Sequence, residues 1–98
     1  MTQLTGLTDK VAVITGGSQG LGAATAKLFA ARGARGLIIC GRQTSKGRSV
    51  ASEIQNLYPA CKVHFVTADL NDSGSPKRII AAAETHFAKL DILVNVAG

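Results

Sequence analysis

The residues with the clearest chemical promise form one cluster, Thr15-Gly16-Gly17-Ser18-Gln19-Gly20-Leu21-Gly22. Glycine reaches backbone angles that other residues avoid, and with no Cβ it lets a ligand come close to the main chain. Placed between a strand and a helix, Gly16 would make the tight turn and Gly20 would clear the approach. Gly22 would let the helix pack closely on a sheet, while N–H groups around Gln19 to Leu21, beside Ser18, would face an anion. The ligand that suits such a loop is a phosphate or pyrophosphate held largely by main chain. Without a ligand, the same glycines make a purely structural turn.

Other reactive residue types are scattered. Cys40 and Cys61 lie in apolar stretches with no Cys-x-x-Cys pair, which reads as small buried thiols rather than metal ligands or a disulfide. His64 and His86 read as isolated, partly exposed histidines, one on a strand and one on a helix. Tyr58 and Lys62 stand four residues apart, which brings an ammonium beside a phenol only across one continuous helical turn. Pro59 breaks that turn, and the segment belongs at the end of the fold opposite the glycine loop. Asn71-Asp72-Ser73 has the letters of a glycosylation acceptor, which matter only in a secreted protein.

Charge narrows the partners. The net charge is +5 over 98 residues, yet the basic residues form no continuous run, and at 4% aromatic content unpaired bases find little to stack on. Nucleic acid is therefore excluded as the expected partner. The densest basic stretch, Arg42 to Arg48, suits local attraction of a phosphate. No stretch approaches the roughly 18 apolar residues of a membrane span, and the N-terminus lacks a basic segment followed by an apolar run. The expectation is one soluble, cytoplasmic domain.

The elements that must position these residues follow from periodicity. Lys10 to Thr15 reads as a strand covered on both faces because Val11-Ala12-Val13-Ile14 is apolar throughout. A first helix runs from about Gln19 to Arg32, with Leu21, Ala24, Thr25, Leu28 and Phe29 on its expected buried face and Gly33 as its stop. Leu37 to Cys40 is a second strand. Ser45 to Leu57 is a second helix with Val50, Ile54 and Leu57 inward, stopped by Pro59. Val63 to Val66 is a third strand, Pro76 to Ala88 a third helix with Ile80, Ala83 and Phe87 inward, and Asp91 to Asn95 a fourth strand. Strands separated by helices must run parallel, and right-handed crossovers give an α/β, doubly wound, Rossmann-type sheet of order 3-2-1-4, truncated after its fourth strand. The edge Ile92-Leu93-Val94 is then left unpaired, which predicts aggregation of a lone chain.

The glycine spacing, Gly16, three residues, Gly20, one residue, Gly22, resembles the Thr-Gly-x-x-x-Gly-x-Gly motif of the short-chain dehydrogenase/reductase family. The resemblance extends along the chain through Asp9-Lys10-Val11-Ala12-Val13-Ile14, through Ala68-Asp69-Leu70, and through Asp91-Ile92-Leu93-Val94-Asn95-Val96-Ala97-Gly98. It implies that Asp69 bonds the adenine amino group, that the Leu70 N–H lies near a ring nitrogen, and that Asn95, Ala97 and Gly98 contact the cofactor ribose. Valine at 96 replaces the second asparagine of the family's usual Asn-Asn-Ala-Gly, which removes a side chain and spares the backbone contacts. For Asp69 the structural reading is a turn residue after a strand, and for Thr15 and Asn95 it is a tie between neighbouring strands.

The choice of dinucleotide can be argued from charge. A site selective for NAD usually carries an acid about 20 residues beyond the glycines to bond the free ribose 2′-hydroxyl. Here the second strand ends Cys40-Gly41-Arg42, and a guanidinium would bond a 2′-phosphate where a carboxylate would repel it. Ser45 and Lys46 would add a hydrogen bond and a second charge, or else form a solvated helix start. NADP is therefore expected over NAD, although the basic residue that some NADP-preferring relatives carry in the glycine motif is here Ser18 or Gln19. The resemblance implies a homo-oligomeric parent oxidoreductase passing hydride between nicotinamide and an alcohol or carbonyl substrate, with a serine, a tyrosine and a lysine that lie beyond this chain. The other function class left open is a non-catalytic nucleotide-binding or regulatory module. No metal site and no membrane partner are expected.

Overall fold

Buried along its whole length, Val11–Thr15 forms strand β1 at the centre of the molecule. The computed structural model describes residues 6–16, 20–69 and 72–96. After β1 come helix α1 (Gly20–Ala31), β2 (Gly36–Gly41), α2 (Thr44–Leu57), β3 (Lys62–Thr67), α3 (Ser75–Phe87) and β4 (Ile92–Asn95). The strands are parallel and ordered β3-β2-β1-β4, as the alternation of elements predicts. The chain therefore winds from β1 to β3 on one side and returns to place β4 on the other, which makes the β1/β4 junction the switch point.

Alternate residues of the central strands feed two cores. Ala12, Ile14, Leu37 and Ile39 pack with Ala26 and Ala30 of α1 and Ile54 of α2. Val11, Val13, Ile38 and Cys40 pack with Ile79, Ala83 and Phe87 of α3. Each fully buried aliphatic side chain contributes roughly 1.5–3 kcal/mol, so the two central strands anchor both layers. Burial raises the Cys40 thiol to about 12 and the Cys61 thiol to about 11, which makes both inert packing groups at neutral pH.

The helices meet the sheet on faces that match expectation only in part, with Ile54 of α2 and Ala83 and Phe87 of α3 buried as read from the sequence. The α1 contact is Gly22, Ala26 and Ala30, whereas Leu21 is 71% exposed and Leu28 also faces outward. Small residues at a spacing of four bring the helix axis close to the sheet, and that proximity outweighs burying the larger leucines elsewhere. In α2 the buried set is Gly47, Ala51 and Ile54, with Leu57 exposed; in α3 it is Ser75, Ile79, Ala83 and Phe87, with Ile80 exposed. The reason is again steric. A Cβ on Gly47 would collide with the Phe65 ring, and one on Gly36 would collide with the Phe87 ring. Both glycines are thus seats for aromatic side chains.

Gly33 ends α1 with a φ of 91°, as expected of a helix stop, while Ala88 ends α3 at a φ of 61° without a glycine. His64 and His86, which read as isolated in the sequence, are in fact stacked between β3 and α3, with ring centroids 3.7 Å apart and planes inclined by 13°. The parallel pairing of β2 and β3 and the crossover through α3 bring together two residues that lie far apart in the chain. β4 pairs with β1 only, among the described residues, and its Leu93 is 63% exposed.

Candidate functional site

All four strands end along one rim, where the chain turns out of the sheet. The Ala68 N–H donates to the Gly41 carbonyl at 2.8 Å, the Gly16 N–H to the Cys40 carbonyl at 2.9 Å, and the Val96 N–H to the Thr15 carbonyl at 3.1 Å. Across the rim in sheet order this places Asp69 after β3, Arg42 after β2, Gly16 after β1 and Asn95 at the end of β4. Residues spread from 16 to 95 of the sequence are thus gathered at one edge. Ser18, Gln19, Leu70, Ala97 and Gly98 lie outside the described residues.

Both glycines flanking the turn have left-handed backbone angles, and only one of them is also hemmed in. Gly16 has a φ of 76°, and a Cβ there would run into the Val96 carbonyl oxygen. Gly20, which opens α1 at a φ of 58°, has open space where its Cβ would stand. One glycine is required by the closure of β1 on β4, while the other leaves room at the helix start. Gly22 is buried two residues further on, and Leu21 points away from the sheet.

Thr15 and Asn95 tie the two sides of the switch point together. The Thr15 hydroxyl donates to Asn95 Oδ1 at 2.7 Å and lies 3.4 Å from the Val94 carbonyl. Asp69 begins the turn into α3, its carbonyl accepting the Ser75 hydroxyl at 2.7 Å and the Asp72 N–H at 2.8 Å. Its backbone is therefore fixed by the start of the next helix.

Arg42 is exposed and has no ion-pair or hydrogen-bond partner among the described residues. Helix α2 follows two residues later, with no acidic residue in its first turn and no side-chain cap from Gln43. A helix start of this kind is electropositive. Ser45, Lys46 and Arg48 lie exposed on this first stretch of α2.

The sequence did not single out the contact between α2 and β3, where the hydroxyls of Thr44 and Thr67 bond at 2.8 Å. Only the strand order makes that pair visible, because Thr67 stands beside Gly41 in the β2/β3 register. At the other end of the sheet, α2 stops at Leu57 and β3 starts at Lys62, so Tyr58 and Lys62 flank a turn and are not one helical turn apart. A cleft of about 430 Å³ opens there, lined in part by Tyr58, Cys61 and Arg35. It lies at the opposite edge from the glycine turn. No cluster of metal-ligating side chains and no helix long and apolar enough to cross a membrane occur among the described residues.

Comparison with known proteins agrees with this geometry. The short chain dehydrogenase family profile matches residues 10–98. Short-chain dehydrogenase/reductase FrzI of Cladobotryum sp is 45% identical over 92 residues, which cover 94% of this chain and 35% of that protein. L-Sorbose reductase from Gluconobacter frateurii, solved with NADPH and L-sorbose, superposes with a TM-score of 0.89 at 33% identity, over 96% of this chain and 35% of that one. The RhlG/NADP active-site complex of Pseudomonas aeruginosa superposes with a TM-score of 0.84 at 33% identity, over 100% of this chain and 38% of that one. The chain thus spans about a third of the length of the relatives it matches.

Proposed function

The chain belongs to the short-chain dehydrogenase family, and from that premise we propose that it forms the NADP(H)-binding portion of an oxidoreductase acting on an alcohol or carbonyl compound. The observation that carries the reading is the exposed Arg42 at the end of β2, unpaired among the described residues, beside a helix start that lacks an acid. The rim fits a dinucleotide. Gly20 leaves open space at the start of α1 for a pyrophosphate, and Asp69 stands at the β3 end where the adenine would lie. The solved relatives named above were captured with NADPH or NADP, which supports the same preference.

The cofactor, when bound, supplies the hydride chemistry at its nicotinamide. These residues bind and orient it: the glycine turn holds the pyrophosphate, Arg42 the 2′-phosphate, Asp69 the adenine, and Asn95 the side toward the ribose. Leu70, Ala97 and Gly98 belong to the same set by family resemblance, as do Ser18, Gln19 and Leu21 in the glycine turn. No residue of the 98 is proposed to transfer a proton or a hydride.

Calorimetric titration with NADPH and NADH, repeated for Arg42→Ala, tests the reading. A charge-assisted bond contributes roughly 1.5–3 kcal/mol, so the variant should weaken NADPH about 10- to 100-fold and leave NADH nearly unchanged. Equal affinity of the unmodified chain for both cofactors would remove the NADP assignment.

A further inference from the structure

The Thr44–Thr67 hydroxyl pair lies where three segments meet: the end of β2 at Gly41, the end of β3 at Thr67 and the first residue of α2. Gly41 and Thr67 are register partners, so Thr67 sits directly across from the residue that precedes Arg42. Its hydroxyl reaches over the strand end to Thr44. We propose that Thr67 is a positioning residue for cofactor choice: it holds the Thr44 hydroxyl beside Arg42, so that the pair offers one O–H to a phosphate on the ribose 2′ position. This inference rests on the NADP reading above.

The chemistry follows from counting hydrogens. Each hydroxyl has one hydrogen and two lone pairs. At 2.8 Å one hydrogen of the two is used between them, which leaves the accepting hydroxyl with its own hydrogen free to donate. A phosphate group has only acceptor oxygens at neutral pH, so it takes that hydrogen, and the bond between the threonines polarises the donor further. The guanidinium of Arg42 supplies charge from the strand side and the hydroxyl supplies direction from the helix side. A free 2′-hydroxyl, which both donates and accepts, gains less from a fixed donor than a phosphate does. The pair should therefore separate NADPH from NADH.

Isothermal titration of the 98-residue chain and its Thr67→Val, Thr67→Ser and Thr44→Val variants with NADPH, NADH and 2′-AMP tests this. Valine keeps the shape of threonine and removes the hydroxyl. Thr67→Val and Thr44→Val should each weaken NADPH and 2′-AMP about tenfold, roughly one charge-assisted bond made poorly, and change NADH less than twofold. Thr67→Ser should keep the preference. The double valine variant should be no worse than the worse single one, because the two hydroxyls act as a unit.

If NADPH is preferred through Arg42 yet Thr67→Val keeps that preference, the threonine inference is wrong and the NADP reading stands. Equal weakening of NADH and NADPH by Thr67→Val also overturns it, since that pattern marks a general structural role. If Thr67→Val fails to fold, Thr67→Ser and Thr44→Val decide the matter, and loss of the preference in the serine variant counts against the inference. Failure of the folded parent chain to bind either dinucleotide or 2′-AMP overturns both readings.

Discussion

The charges where the strands begin and the arginine that follows β2 stand in different surroundings. At the end where the strands begin, Asp9, Arg35, Lys89 and Asp91 hold one another: Lys89 lies 3.2 Å from Asp91 and 3.8 Å from Asp9, and Arg35 lies 3.6 Å from Asp9. Asp91 also accepts the Val11 N–H at 2.8 Å, which fastens the start of β1 to the approach of β4. At the end where the strands finish, Arg42 is unpaired among the described residues and the next helix starts without an acid. Exposed ion pairs are worth only about 0–1 kcal/mol, so the contrast says little about stability. It concerns availability. Charge answered by neighbours has its field largely cancelled, whereas charge left open at a rim of glycines is free to meet an anion.

The strongest way to break this contrast is at the glycines of the rim. Gly16→Ala would place a side chain in a left-handed conformation, costing roughly 1–2 kcal/mol, and against the Val96 carbonyl, which adds about 1–3 kcal/mol of overpacking. Gly20→Ala meets open space and bears only the first cost. Denaturant unfolding should therefore rank Gly16→Ala well below Gly20→Ala. Equal losses would mean that the β1/β4 closure at Val96 yields easily.

Next in size is a charge swap between the ends. Arg42→Ala should alter cofactor choice with little change in unfolding midpoint, while Arg35→Ala should leave titration with NADPH unchanged and shift stability by less than about 1 kcal/mol. An effect of Arg35→Ala on NADPH affinity would erase the distinction between the rims.

A smaller effect concerns acid. The Val11 N–H, followed by Lys89, holds the Asp91 carboxyl below its ordinary value of 3.8. The folded state then binds that proton less readily than the unfolded chain, so the contribution is present above 3.8 and is lost as pH falls through the lower folded value. Asp91→Asn should flatten the acid limb of stability against pH, read by circular dichroism. An unchanged limb would show that titration of Asp91 contributes nothing to acid stability.

The smallest expected effect lies between the two rims, at the stacked histidines. Burial and then the charge of His86 lower the His64 pKa from 6.5, with Phe87 as the other ring neighbour. The unfolded chain takes up that proton first, so stability is full above about 6.5 and declines as pH falls toward the lower folded value. His64→Phe should remove this decline while leaving the NADPH preference at pH 7.5 intact. A decline of equal size in the variant would place its origin elsewhere.

Much of this architecture was legible in the residues, and the failures share a cause. Alternating apolar runs and helical spacings identified seven elements to within a residue or two, since period and breakers such as Gly33 and Pro59 act locally. The buried face of α1 was misjudged because large side chains were ranked ahead of small ones, whereas in α2 and α3 Ile54, Ala83 and Phe87 are buried as expected and Leu57 and Ile80 are not. Gly22, Ala26 and Ala30 form the contact for the opposite reason, that close approach needs little side chain. The histidine stack and the threonine pair were not visible at all, because each joins a strand to a helix across the sheet.

By itself the sequence determined the strand order, the glycine turn, the inert cysteines and the absence of an acid after β2, because each depends on neighbours in the chain or on a handedness that all parallel sheets share. Only the tertiary structure decided which face each helix presents, that Gly16 is required by the Val96 carbonyl, and that Thr67 meets Thr44 next to Arg42. Those are contacts between segments distant in sequence. They are set by how closely the layers approach and by strand register, which local spacing does not encode.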